Sequence, residues 1–247
     1  MNIYKRLYEK YRKDAEKSII ESIVVGVGYC FVKLTDGRSG IAYSYFEYKK
    51  GCTFFGDNTD FEGLAAINLL KFLENTNTLV KSLGFACLNA LNDANLTSQE
   101  NGDIVNFLDL NPSSEIFMIG FFGPIVNFIK KAGVKSISIL DKSKKVGDSD
   151  DFYAEFANAE NPVLLLTSTS LLNDTFHGIL EKIPKNTKIC MVGPSTVMDT
   201  EIMKEYGINV LSGMKVIDAE GVQKAIKLGG GTPIIKEYCS KLTIKVV

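Results

Sequence analysis

Two segments constrain this chain more than any others: Val163-Leu-Leu-Leu-Thr167-Ser168-Thr169-Ser170 and Ile189-Cys-Met-Val-Gly193-Pro194-Ser195-Thr196. Each runs apolar for four residues, stops at small polar residues, and passes into a helical pattern. A strand buried on both faces of a parallel sheet reads as such an uninterrupted apolar run. In open α/β sheets, ligands bind beyond the carboxyl ends of the strands. Two such ends say where a ligand sits. They do not name it.

The same unit recurs from residue 115 onward. Strands are expected over 116–120, 136–141, 163–167, 189–193 and 209–211, and helices over 124–131, 151–157, 171–182, 197–206 and 219–227. Strands alternating with helices through short connections predict an open, doubly wound parallel α/β sheet. A late strand over 241–246 adds to an edge or reaches back to the first half.

The first half has a different texture. Ile3, Leu7, Tyr8 and Tyr11 fall at helical spacing. Residues 23–34, the turn Thr35-Asp36-Gly37-Arg38 and residues 39–46 predict one β-hairpin. Helices follow over 61–73 and 79–91. The polar stretch 97–114 is the linker candidate, with 104–110 readable as a strand or a helical turn. The domains are accordingly expected at 1–110 and 111–247. Gly63-Leu-Ala-Ala-Ile-Asn68 and Gly84-Phe-Ala-Cys-Leu-Asn89 share the pattern Gly-x-Ala-x-x-Asn. The small residues permit close packing, and Asn89 or Asn68 is a candidate to enter a crevice.

Composition narrows the function classes. Lys plus Arg total 28 against 29 Asp plus Glu, a net charge of −1, so there is no electrostatic case for nucleic acid or an anionic membrane. The five cysteines, Cys30, Cys52, Cys87, Cys190 and Cys239, are scattered and odd in number, which is a reduced pattern and not a disulfide framework. The first 18 residues are charged and read as no signal peptide. The apolar stretch 19–34 is interrupted by Glu21 and Lys33 and is too short for a membrane span. A cytoplasmic protein is expected, with self-association left open.

Five segments recur in a recognisable order: Ser82-Leu-Gly-Phe-Ala-Cys-Leu-Asn-Ala-Leu91, Met118-Ile-Gly-Phe-Phe-Gly-Pro124, Leu166-Thr-Ser-Thr-Ser-Leu-Leu-Asn-Asp-Thr175, Met191-Val-Gly-Pro-Ser-Thr196 and Leu211-Ser-Gly-Met-Lys-Val-Ile-Asp218. Together, over nearly the whole chain, they resemble the prokaryotic family called putative heavy-metal chelation proteins, a domain of unknown function. The resemblance implies a Rossmann-like second domain preceded by a smaller α+β, enolase N-terminal-like domain, with the site in the crevice between them. It implies no reaction.

The candidate ligand-binding residues are Gly120, Gly123, Asp141, Thr167, Ser168, Thr169, Asn173, Gly193, Pro194, Ser195 and Asn89. Hydroxyls at a strand-to-helix turn either cap the helix or cradle an anion. Four in a row at 167–170 exceed the needs of one cap. Gly193-Pro194-Ser195-Thr196 repeats the device, but it is not a nucleophile elbow, and no histidine is near in sequence. Gly120-Phe121-Phe122-Gly123 lacks the dinucleotide fingerprint. Asp141, about twenty residues on, occupies the place where nucleotide-binding folds grip a ribose, and it equally suits a turn. Phe121 and Phe122 line the crevice or fill the core. His177, the only histidine, shares a helical face with Asn173. Lys215 is expected at the last strand end, and Gly229-Gly230-Gly231 at a helix end.

No cysteine pair has zinc-site spacing, and Asp57, Asp60, Glu62 and Asp141 match no calcium-loop spacing. These residues suit a small anionic metabolite, or a metal held inside an anionic chelate, better than a bare soft ion. The rival is a transferase or lyase using a nucleotide or S-adenosylmethionine-like cofactor in the same crevice. A third view makes the crevice a docking surface for a partner. Cofactor and metabolite stay unnamed.

Overall fold

The computed structural model describes residues 2–46, 60–96, 104–108, 110–134 and 136–246. Cys52, Asp57 and the linker stretch 97–103 lie outside them.

Helix α1 (Ile3–Ala15) buries Ile3, Leu7, Tyr11 and Ala15, one residue per turn, and the Asn2 side chain caps it by accepting from the Tyr4 N–H. An antiparallel sheet follows: β1 (Ile20–Val25), β2 (Tyr29–Leu34) and β3 (Ser39–Tyr43), in that order. The single strand expected over 23–34 is two, because Gly26-Val27-Gly28 reverses the chain. The helix expected over 61–73 is also corrected. Only α2 (Ile67–Leu70) and a 3-10 turn (Lys71–Glu74) are helical there. Upstream the backbone is taken by the β1 edge: the Ile20 N–H donates to the Leu64 carbonyl and the Gly63 N–H to the Ile20 carbonyl, both at 2.9 Å.

Helix α3 (Thr78–Asn92), capped by Asn77, lies across β2 and β3. Its backbone touches the sheet. A Cβ on Gly40 would fall 2.2 Å from the Ala90 nitrogen, so β3 has no room for any side chain there.

After a 3-10 turn (Ile104–Phe107) the expected rhythm appears: β4 (Glu115–Ile119), α4 (Gly123–Lys131), β5 (Ser136–Leu140), α5 (Ser149–Ala157), β6 (Pro162–Thr167), α6 (Phe176–Leu180), β7 (Lys188–Val192), α7 (Thr200–Glu205), β8 (Ile208–Val216), α8 (Ala219–Lys227), α9 (Thr232–Ile235) and β9 (Cys239–Lys245). The sheet order is β5-β4-β6-β7-β8-β9. All neighbours are parallel except β9, which runs antiparallel to β8. The late strand therefore joins the edge. It also extends β8 to nine residues by pairing with it from Val210 to Val216, so the strand runs past 211 and Lys215 is its next-to-last residue.

Both faces of the large sheet are covered. Ile116, Met118, Val163, Leu165, Cys190 and Val192 pack with Ile125 and Ile129 of α4. On the opposite face, Phe117, Leu164, Leu166 and Met191 pack with Phe152 and Phe156 of α5, Phe176 of α6 and Met203 of α7. That second core is continuous with Leu7, Leu34 and Leu83 of the small sheet's layer. The other face of the small sheet, through Tyr29, Phe31 and Ile41, packs on Val222 and Ile226 of α8.

The helix expected over 171–182 shrinks to a 3-10 turn (Ser168–Leu171) and the five residues of α6. Asp174, at φ +59, breaks it. Its carboxylate is paired with Lys81 of α3, a lysine only 2% exposed. A tertiary contact thus overrides the local helical pattern.

Candidate functional site

The chain leaves β4, adds β5 on one side, then crosses back to add β6 on the other. Order reverses between β4 and β6, and such a switch point opens a crevice at the carboxyl ends of the two strands. Gly120 ends β4 at φ +90, and its N–H donates to the Leu140 carbonyl at 2.9 Å. A Cβ on it would fall 2.8 Å from Thr167 Cβ, so the two tips stand in contact. Gly123 then opens α4. Helices α1, α3, α5, α7 and α8 each carry an Asn or Asp cap, whereas α4, nine residues long, has no side-chain cap. Among the described residues no side chain accepts a cap hydrogen bond from its first turn at the switch point, although the Phe121 ring lies against Gly123.

At the β6 tip the hydroxyls divide. Thr167 and Thr169 are partly exposed, and their Oγ1 atoms lie 2.8 Å apart. Ser168 and Ser170 are each 1% exposed, and their hydroxyls have no hydrogen-bond partner among the described residues. Ser168 faces the next tip: a Cβ on Gly193, at φ +135, would fall 2.5 Å from Ser168 Oγ. Asn173 donates from Nδ2 to the Tyr45 hydroxyl at 3.1 Å and accepts the Thr175 hydroxyl proton on Oδ1.

At the β7 tip Gly193 and Pro194 stay partly exposed. Ser195 is fully buried and accepts from the Tyr43 N–H at 2.7 Å, which ties β3 to β7. Thr196 donates to the Ser212 carbonyl at 2.8 Å. Asn89 donates from Nδ2 to the Ile41 carbonyl at 2.9 Å. It borders a cavity of about 10 Å³ with Asn92, Asp93, Thr196 and Lys215, room for a single water. Lys215 Nζ reaches Asp93 there, 3.4 Å from Oδ1. Burial pushes the Asp93 carboxyl above its ordinary range, and Lys215 opposes that shift.

Asp141 ends β5 with its carboxylate engaged. Oδ2 accepts from the Phe121 N–H at 2.8 Å, and Oδ1 accepts from the Ser143 hydroxyl at 2.6 Å and the Lys144 N–H at 3.0 Å. Burial alone would raise this carboxyl, but the three hydrogen bonds outweigh it and hold the group below the usual range. Lys144 Nζ lies 4.3 Å from the centre of the Phe121 ring.

The structure therefore gathers Gly120, Gly123, Asp141, Thr167, Thr169, Gly193 and Pro194 along open tips. Ser168 sits just beneath them, and Asn173 stands beside them on the β6–α6 loop. Asn89 and Ser195 lie in the seam between the two sheets. His177 lies where α1 meets α6 and the end of α7, edge-on to the Tyr4 and Tyr206 rings. Gly230 packs against Gly28, its carbonyl 3.3 Å from a Cβ built there. Sequence reasoning passed over Tyr43, Tyr45, Lys81 and Lys144. Only for Lys144 was there a signal, the run Lys142-Ser143-Lys144-Lys145 directly after Asp141.

Two family profiles match. The DUF364 profile, described as "Putative heavy-metal chelation", matches residues 103–245, more than half of the chain. The chain belongs to the DUF364 family. The DUF4213 profile, described in the same words, matches residues 8–92. An uncharacterized protein of Methanocaldococcus jannaschii is 28% identical over 189 residues, 72% of each chain. Two crystal structures of DUF364 proteins with unknown function share the fold. One, from Pyrococcus horikoshii, has a TM-score of 0.82 at 21% identity and covers 99% of this chain and 100% of its own. The other, from Desulfitobacterium hafniense, has a TM-score of 0.76 at 19% identity and covers 98% of each.

The family description invites a test for a resident metal. Among the described residues no three His, Cys, Asp or Glu side chains gather as a metal site. Cys30 and Cys87 are buried, and burial pushes both thiols up to about 12, away from the thiolate that binds soft metals. The groups at the strand tips are hydroxyls, amides and one carboxylate, Asp141, both of whose oxygens already accept hydrogen bonds. This donor set does not fit a bare heavy-metal ion. Nor is any helix among the described residues long and apolar enough to cross a membrane.

Proposed function

We propose that this DUF364 protein binds a small anionic metabolite at the open tips of β4, β6 and β7, and that any heavy metal it handles arrives inside its own anionic chelator. One observation carries the reading. The switch point presents hydroxyls and the uncapped start of α4 beside the glycine contact of Gly120 with Thr167, and no carboxylate there is free of hydrogen bonds. Such a surface supplies donors and a positive dipole end to an anion. It offers nothing comparable to a cation.

The ligand-binding set is Gly120, Gly123, Thr167, Ser168, Thr169, Gly193 and Pro194. Asn173 and Asp141 hold the loops around it, and Ser195 and Asn89 hold the small sheet over the neighbouring tips. The two sheets then act as separate domains joined near residue 110, the smaller one walling the crevice. The role is binding or carriage in the cytoplasm, in keeping with the free thiols Cys30, Cys87 and Cys239.

The test is thermal-shift screening at fixed protein concentration with metal-loaded citrate, metal-free citrate, nucleotides, S-adenosylmethionine and bare transition-metal ions. A ligand that prefers the folded state raises the midpoint. Stabilisation by anions or chelates supports the reading. Tight binding of bare ions with no organic ligand present ends it.

A further inference from the structure

We infer that Lys144 is the cation that receives the ligand's anionic end, and that Asp141 is a positioning residue for Lys144, not a grip for a ribose. This rests on the anion-binding reading above and sharpens it to a class: compact carboxylates or phosphates without a nucleoside.

The argument starts from Asp141. To hold a ribose, an acidic residue at the end of the second strand of the parallel sheet offers both oxygens to two sugar hydroxyls. Here both oxygens are already used. Oδ1 holds the Ser143 hydroxyl and the Lys144 N–H, and Oδ2 holds the Phe121 N–H from the neighbouring tip. A ribose would have to displace hydrogen bonds that also keep the carboxyl ionised.

What those bonds achieve is placement. The Asp141 N–H donates to the Val146 carbonyl and the Val146 N–H to the Asp141 carbonyl, at 2.9 and 3.0 Å, closing a tight loop. The loop turns through Lys145 at φ +53 and Gly147 at φ +78. At Gly147 a Cβ would fall 2.2 Å from the Ile139 carbonyl oxygen. The outcome is that Lys144 is folded back across the sheet edge, over a ring on the adjacent tip. Phe121 is itself 39% exposed, and its Cε1 lies 3.3 Å from a Cβ built on Gly123. The ammonium thus stands over the Phe121 ring, whose edge borders the turn that leads into α4. An ammonium on an exposed ring is held loosely and is free to exchange the ring for a carboxylate or phosphate, a stronger partner.

The experiment titrates full-length protein with citrate, inorganic phosphate and AMP, reading the Gly120, Gly123 and Thr169 amide shifts by NMR. Citrate or phosphate should move these amides in the wild type. Lys144→Met should weaken that anion about five- to tenfold, Lys144→Arg should restore it, and Asp141→Asn should weaken it about as much as Lys144→Met. AMP should bind no more tightly than phosphate. Thermal melts of each variant show whether it is folded, and the arginine rescue separates charge from structure. Unchanged citrate and phosphate affinity in Lys144→Met overturns this inference and leaves the anion-binding reading standing. So does an Asp141→Asn variant that loses AMP alone. If neither anion moves the three amides in the wild type, the anion-binding reading falls, and this inference with it.

Discussion

At the β6 tip Thr167 and Thr169 stay partly exposed, and the bond between their hydroxyls uses one of the two O–H donors. One strand over, at the β7 tip, Ser195 and Thr196 are buried and committed, one to the Tyr43 N–H and the other to the Ser212 carbonyl. The residue types are the same, and so is their position at the end of a parallel strand. For Ser195 the small sheet makes the difference, whereas Thr196 is held by β8 of its own sheet. The small sheet's β3 strand and the end of α3 come down over β7 and β8, where Lys215 meets Asp93 across a cavity the size of one water. Among the described residues the tips of β4 and β5 carry no such ties. A hydroxyl at a strand tip becomes a fastener where a second layer lands on it, and stays available for a ligand where none does.

That contrast is open to attack. The largest effect belongs to the covered half. Gly40→Ala places a methyl 2.2 Å from the Ala90 nitrogen, and forcing the helix off the sheet should cost about 3 kcal/mol or more, read as a lower urea midpoint. Lys81→Met removes the tie to Asp174. Because the Asp174 side chain is 53% exposed, the carboxylate left behind rehydrates, and the cost should be about 1–2 kcal/mol, well under that of a fully buried pair. Ser195→Ala strands the Tyr43 N–H and should cost about 1 kcal/mol.

Two smaller effects sharpen the comparison. Asp93 has its folded-state carboxyl raised by burial. Its contribution to stability is therefore present in full below the ordinary carboxylate range of about 4 and is lost as pH rises through the raised value. Asp93→Asn should abolish that loss, so the variant's stability relative to wild type should improve as pH rises from about 3 to about 7 in parallel denaturation curves. Last, Thr169→Val in the open half should change stability by no more than about 0.5 kcal/mol while weakening citrate or phosphate binding. A Thr169→Val cost as large as that of Ser195→Ala would erase the distinction between the halves.

Much of the fold was legible in the sequence because the large sheet is buried on both sides. Runs such as 163–167 and 189–193 have to be apolar throughout, and a hydrophobic run bounded by glycine or hydroxyls is visible without coordinates. The misreadings fall where one part of the chain depends on another. Residues 61–66 looked helical, but their backbone is drawn to the edge of β1. Residues 171–182 looked like one helix until Lys81 claimed Asp174. The segment 209–211 looked short because the partner that lengthens it, β9, comes some thirty residues later. Periodicity reports a segment's own preference and carries no record of a distant partner.

The candidate site divides in the same way. The sequence alone determined that glycine and hydroxyl residues end consecutive parallel strands, since a period-two pleat and a right-handed crossover leave those ends on one edge. Only the tertiary structure decided which of them face solvent. Asp141 shows why: its chemistry as a carboxylate is written in one letter, but whether its lone pairs are free depends on Phe121, twenty residues earlier, and on the loop that brings Lys144 back. Identity is a local property, whereas exposure and hydrogen-bond occupancy belong to the packed whole.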